Sequence, residues 1–179
     1  MYFPNLLLFL FLSAPFTTSL TLPTTALKSR DYTPTITKVD TIINDLSALE
    51  TAVIAFTGDP TDAQSIGVAA GNVDNDLRLA TADIATSTYS ASESAALRAL
   101  VVPLGPRHTS GLAMLSAKAP MFAALGLTAH VSDQLLQLSI DNDNFWTVLV
   151  GKLAAGDQDA VEAAGDQTRV AYQDALAEF

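Results

Sequence analysis

The chain has 179 residues, a formal net charge of −10 and no cysteine. The length argues for one domain once targeting residues are set aside, and the acidity argues against binding to nucleic acid or anionic membrane through bulk charge. Without disulfides the fold must rest on core burial, for which about 150 residues suffice.

Leu6 to Leu12 is an uncharged apolar run followed by Ser13-Ala14-Pro15. It is shorter than the about 20 residues a transmembrane helix needs. Small residues at Thr17 and Ser19 fit cleavage after Ser19, so residues 1–19 read as a signal peptide and the protein as secreted, although Met1 to Asn5 holds no Lys or Arg. Residues 20–34 are Thr- and Pro-rich without periodicity and read as a flexible leader or pro-segment. Within it, Lys28 and Arg30 are either a processing signal or an ordinary basic linker, and the threonines are candidate O-glycosylation sites. No Asn-x-Ser/Thr sequon occurs. Ala177-Glu178-Phe179 supplies no hydrophobic tail for a GPI-type anchor.

From Thr35 onward the apolar residues recur at helical spacing. Val39, Ile42, Leu46, Leu49, Val53 and Phe56 step by threes and fours down one side of a helix over 35–57, and Ile36, Ile43 and Ile54 widen that face. Gly58-Asp59-Pro60 ends it. A second helix over 62–86, capped by Thr61 or Asp62, carries Ile66, Ala70, Val73, Leu77, Ala80 and Ile84. Ser90 with Glu93 forms a capping box for a third helix over 91–118, in which Leu97, Leu100, Val101 and Leu104 are apolar. Pro103, Gly105 and Pro106 must kink or break it. It stops before Pro120, and Gly126 marks a turn. Thr128 can cap a fourth helix over 128–155 with Val131, Leu135, Leu138, Phe145, Leu149 and Leu153 on its seam and Asn142 as a polar interruption. Gly156 ends it. A fifth helix over 158–178, started by Asp157 or Asp159, carries Val161, Ala164, Thr168, Tyr172 and Ala175, with Gly165 weakening it. The expectation is an all-α, single-domain antiparallel bundle of about five amphipathic helices over residues 35–179, the third kinked by proline.

Chemistry is sparse in this pattern. His108 and His130 are the chain's two histidines, and neither has a defensible nucleophile beside it; both read as exposed or capping residues. Asp141-Asn142-Asp143-Asn144 and the series Asn72, Asp74, Asp76 alternate like the start of a calcium loop. Phe145, Trp146 and Leu77 stand where ligands and glycine are required, so both stretches read as solvated helix faces. No zinc, phosphate or nucleic-acid motif is present, and no catalytic residue, metal or cofactor is assigned. What remains is amphipathicity. The stripes fit an ordinary core, but their breadth and the kink also fit a cavity between helices.

The order of features resembles a known family. A signal peptide and a short leader precede the run Ile42-Ile43-Asn44-Asp45-Leu46-Ser47-Ala48-Leu49-Glu50-Thr51-Ala52-Val53 and a Gly-containing turn. An Ala-, Asp- and Thr-rich helix ending in a Thr/Ser tract follows. Then come a Ser-rich helix start with internal proline, Lys118-Ala119-Pro120-Met121-Phe122 and Gly126-Leu127. Residues 31 to 179 are in this way similar to the fungal hydrophobic surface-binding protein A family, also called cell wall galactomannoproteins. The resemblance implies a helical bundle at the cell wall or in the medium, without enzymatic activity. It also implies adsorption to hydrophobic surfaces, recruitment of secreted esterases or cutinases, and in related mannoproteins a fatty acid held between helices. The chain departs from the pattern in having two prolines and Gly105 in the third helix, and in lacking a long Ser/Thr-rich extension.

The leading expectation is a secreted binder of apolar ligands or surfaces lined by Leu46, Leu49, Val53, Val73, Leu77, Leu97, Leu100, Leu135, Leu138, Phe145 and Leu149. Pro103, Gly105 and Pro106 are the expected gate, within a loose segment from Val102 to His108. The alternatives are a surface-adsorbing esterase recruiter without a cavity, and a purely structural wall protein.

Overall fold

The computed structural model describes residues 32–179. The expected signal peptide and most of the expected leader lie outside them. Seven helices run in chain order: α1 (Tyr32–Ala55), α2 (Pro60–Thr86), α3 (Ala91–Val101), α4 (Leu104–Ser116), α5 (Ala119–Ala124), α6 (Thr128–Val150) and α7 (Ala155–Leu176). No strand occurs among the described residues. Short connections fold α1 against α2 and α6 against α7; α2 packs on α6, and α4 joins α7 to α1, which closes the ring of long helices.

The boundaries differ from expectation where a breaker residue also starts the next helix. α1 is already helical at Tyr32, the first described residue, and Pro34 lies within it. Asp59 rather than Thr61 or Asp62 caps α2, its carboxylate accepting from the Thr61 N–H at 2.7 Å, with Pro60 in the first turn. Pro120 likewise sits in the first turn of the short helix α5, which the expectation of a stop before Pro120 had left out. Gly126 turns the chain at φ 71°. Thr128 is the first helical residue of α6, not its cap, and α7 starts after Ala154 without a side-chain cap. The Ser90–Glu93 capping box forms as read: the Glu93 carboxylate accepts from the Ser90 N–H at 2.8 Å.

The expected kinked third helix is α3 and α4. Val102 and Pro103 keep right-handed helical backbone angles, and the Val102 N–H still reaches the Arg98 carbonyl at 3.0 Å. Pro103 occupies the N-cap of α4 and Pro106 its first turn, so neither ring removes a hydrogen bond from α4 itself. Gly105 has a packing role. A Cβ there would lie 3.2 Å from the Ala164 carbonyl oxygen and 3.3 Å from its Cα, so the missing side chain lets α4 approach α7. Gly165 does the same toward α6, where a Cβ would lie 3.1 Å from Cβ and Cγ of Trp146.

One half of the bundle is solid. Val39, Ile42, Val73, Leu77, Leu97, Val101, Phe145, Leu149 and Val161 are buried there. Asn142, expected as a polar interruption on a solvated face, is fully buried. Its Oδ1 accepts from the Trp146 indole N–H at 3.1 Å, its Nδ2 donates to Thr168 Oγ1 at 3.0 Å, and the threonine donates to the Gly165 carbonyl at 2.8 Å. Every member of this chain of polar groups has a partner, which is the condition for burying it without large cost. Ile54, expected to widen the α1 face, is instead exposed.

Replacing Asn142 with Leu keeps the volume but leaves the Trp146 N–H buried without an acceptor. Urea denaturation should show a loss of about 1–3 kcal/mol with an unchanged m-value.

Candidate functional site

The other half of the bundle is hollow. A cavity of about 500 Å³ lies among α1, α2, α4 and α6, with Phe122 of α5 and Tyr172 of α7 also on its wall. The volume falls inside the roughly 300–1,000 Å³ range of ligand pockets. Its wall from α2 mixes small side chains with Gln64, Ile66 and Val68. Ala63, Gly67 and Ala70 recur at helical spacing there, and Gly111 faces it from α4. Further along α2 the inward positions become Val73, Leu77 and Ile84, and the space closes.

Of the expected lining residues, Leu46, Leu49 and Val53 of α1 and Leu135 and Leu138 of α6 border the cavity. Val73, Leu77, Leu97, Phe145 and Leu149 are buried in the solid half, and Leu100 is half-buried. Pro103, Gly105 and Pro106 do not border the cavity. The most exposed wall residues are Pro60, Gln64 and Val68 of α2 and His130 of α6, while Leu49, Glu50, Arg107 and Gly111 on the α1 and α4 side are partly exposed. The end nearest α5 is shut by aromatic rings. Phe56 stacks on Phe122 with centroids 4.5 Å apart, Phe179 packs edge-on at 5.9 Å, and the Lys118 ammonium holds the Phe56 carbonyl at 2.8 Å.

The polar groups on the wall are few. Arg107 donates twice to Glu50, Nε to Oε1 at 3.1 Å and Nη2 to Oε2 at 3.0 Å, and also to the Ser47 hydroxyl. This planar pair ties α4 to α1 and neutralises both charges. His108, expected to be exposed, is only 4 % exposed. The reason lies in its helix: Nδ1 bonds the Leu104 carbonyl one turn back at 3.0 Å, which holds the ring inward. A carbonyl only accepts, so Nδ1 carries the hydrogen and Nε2 is a bare acceptor. Nε2 is buried without a partner among the described residues. Burial pushes the imidazole below its usual range, with the neighbouring Arg107 charge acting the same way; the Leu104 bond and Glu50 oppose them. The Tyr172 phenol packs 6.3 Å from the imidazole, and burial pushes it well above its usual value, so it stays protonated.

Next to the cavity, α2 meets α6 and α1 through carboxylates. Burial first, and then the neighbouring Asp141 carboxyl, push Asp74 up against the Arg78 charge, and burial and the Asp76 carboxyl push Asp45 up. Asp141 is itself buried and accepts from Gln137 Nε2 at 2.7 Å, unlike the solvated face expected for the stretch 141–144. No group of side chains suited to a metal ion, and no helix long and apolar enough to cross a membrane, occurs among the described residues.

The geometry defines a class: a helical bundle with an apolar internal cavity, closed by aromatic rings at one end. Residues 33–151 match the family model for hydrophobic surface binding protein A, and the chain belongs to that family. Among solved structures it is similar to AfMP4p in complex with palmitic acid, at 25 % identity and TM-score 0.79, over 82 % of this chain and 98 % of that one. It is also similar in fold to ligand binding domain 1 of the Penicillium marneffei MP1 protein complexed with arachidonic acids, at 16 % identity and TM-score 0.77, over 83 % of this chain and 98 % of that one. Ligand binding domain 2 of MP1, complexed with multiple arachidonic acids, gives 14 % and 0.77, over 84 % and 97 %. Comparison with curated protein sequences gives no match.

The carboxyl pairs give a pH dependence. The folded-state value of Asp74 is raised, so its contribution is complete below the unfolded value of 3.8 and is lost as pH rises through the folded one. The melting temperature should fall between pH 4 and pH 7, and Asp74→Asn should flatten that fall and raise the midpoint at pH 7. Thermal unfolding by circular dichroism across this range checks it.

Proposed function

We propose that the protein is a secreted, non-enzymatic binder that takes one apolar chain of the fatty-acid type into the cavity. The observation that carries this reading is the unfilled volume of about 500 Å³ with a mostly apolar wall, in which Ala63, Gly67 and Ala70 stand among Ile66, Leu112 and Leu135. Filling it with a hydrocarbon chain removes apolar surface of both partners from water and restores the dispersion contacts that the void lacks. Family membership and the likeness to a palmitic acid complex support the choice of ligand. The wall contains no serine, threonine or cysteine beside His108, which supports a binding role over catalysis. The proposed entry is the solvent-facing edge between α2 and α6, at Gln64, Val68 and His130.

A second reading, adsorption to hydrophobic surfaces with recruitment of a secreted esterase, draws on exposed apolar side chains. Ile54, Val68, Leu136 and Ile140 all reach solvent on the described surface. Cavity binding gives saturable, one-to-one uptake; surface coating gives adsorption to polyester or oil without stoichiometric uptake.

Ala70→Phe places a ring in the hollow half. Native mass spectrometry with added palmitic acid should show a one-to-one adduct for the unaltered protein and at least tenfold less for the variant. The variant should be as stable as the parent or more stable by about 0.5–2 kcal/mol, as cavity filling usually gives. Undiminished uptake by Ala70→Phe would contradict the location of the site.

A further inference from the structure

The reading of the cavity as a lipid site leaves open what holds the polar end of the ligand, and three observations bear on it. First, the cation beside the cavity is already used. Arg107 is bound by both oxygens of Glu50 and by Ser47, so it has no free charge to offer a carboxylate. Second, the His108 ring borders the cavity, and its Nε2 is a buried acceptor without a partner among the described residues; the atom is closed to water while Nδ1 holds Leu104, so a donor reaches it after a small tilt of the ring. An orphan acceptor costs free energy that a donor from a ligand would recover. Third, a bare carboxylate in an apolar enclosure is costly unless paired. The titratable and charged groups facing the imidazole are Glu50 of α1 with its partner Arg107, Tyr172 of α7 and, on the rim across the cavity, His130 of α6; from α2 the cavity receives only uncharged side chains.

We propose, building on the lipid-binding reading, that His108 Nε2 is the polar anchor of the cavity and accepts a hydrogen bond from an O–H group at the head of a single-chain lipid. Two sources carry this chemistry, a carboxylic acid in its protonated form and a long-chain alcohol. They differ in their protons. A free fatty acid is ionised at neutral pH, and the imidazole is neutral. Bound, the carboxyl and Nε2 share one proton along the hydrogen bond, so the complex holds one proton more than its separated parts. That proton comes from the solvent. Affinity for the acid therefore falls as pH rises above the carboxyl's free value, by up to tenfold per unit, while affinity for the alcohol is flat. The buried Tyr172 phenol, held protonated, stands near the imidazole as a further donor to the head-group oxygens.

The test uses palmitic acid, 1-hexadecanol and methyl palmitate, the last having no O–H to donate. Their affinities are read by competition with fluorescent cis-parinaric acid, and proton uptake by calorimetry of palmitic acid at pH 7.5 in phosphate and in Tris. The expected result for the unaltered protein is uptake close to one proton per acid and about a tenfold preference for hexadecanol over methyl palmitate, the size of one hydrogen bond. His108→Phe, which keeps a ring but no acceptor, should lose that preference, so that hexadecanol and methyl palmitate bind alike. Equal affinities for alcohol and ester in the unaltered protein, or uptake of no proton with the acid, would overturn the anchor while leaving a lipid cavity intact. A preference that survives His108→Phe would overturn it as well. Failure of all three compounds to bind the unaltered protein would overturn the lipid-binding reading itself.

Discussion

Helix α2 packs against α1 on one side and α6 on the other, and its inward stripe changes size half-way along. From Ala63 to Ala70 the positions facing the interior are Ala63, Ile66, Gly67 and Ala70; from Val73 to Ile84 they are Val73, Leu77, Ala80 and Ile84. Helices held at a fixed spacing cannot close around the smaller set, because the larger set at the other end keeps the axes apart. Interiors resist such collapse, so the deficit persists as a void. The hollow half lies beside the stretch of that stripe which carries Gly67 and two alanines.

The two halves treat buried polar groups differently. In the solid half, Asn142, Trp146 and Thr168 satisfy one another and the Gly165 carbonyl. Such a closed network fixes α6 against α7 in one register. In the hollow half Arg107 and Glu50 are paired between α4 and α1, but His108 keeps one nitrogen unused. An acceptor left over beside an unfilled volume is a local frustration of the empty protein. It is relieved by a ligand with matching shape and a hydrogen to donate, and the same group in a filled core would be only a cost.

The proline break serves the same layout. Because Pro103 and Pro106 stand at the start of α4, the chain bends without losing the hydrogen bonds of the new helix. Gly105 then brings α4 onto α7, while Arg107, two positions on, reaches Glu50 of α1. One short helix thereby closes the ring of long helices and delivers His108 to its interior. The kink was visible as Pro103, Gly105 and Pro106, yet its consequence was a close packing contact outside the cavity wall.

The sequence by itself determined the helices, because a seam such as Val131, Leu135, Leu138, Phe145 and Leu149 repeats a local period that any helix must obey. The Ser90–Glu93 capping box was legible for the same reason: the residues that make it are three apart. It also carried the family likeness, through the order of its weak signals. What it could not separate was core from cavity wall. Leu46 and Leu149 have the same character and the same seam position, yet one faces a void and the other a packed interior. That difference depends on what the opposite helix contributes at the same height, and here the contribution is only a hydrogen at Gly67 and a methyl at Ala70, which periodicity does not weigh. His108 was missed for a related reason. A histidine in a proline-rich break reads as exposed, and only the placement of α4 between α1 and α7 buries it. The signal that could have pointed to the cavity was Ala63, Gly67 and Ala70 at helical spacing on α2. Its meaning is fixed by tertiary structure alone, since a small side chain makes either a close helix contact or a hollow according to how near its neighbour stands.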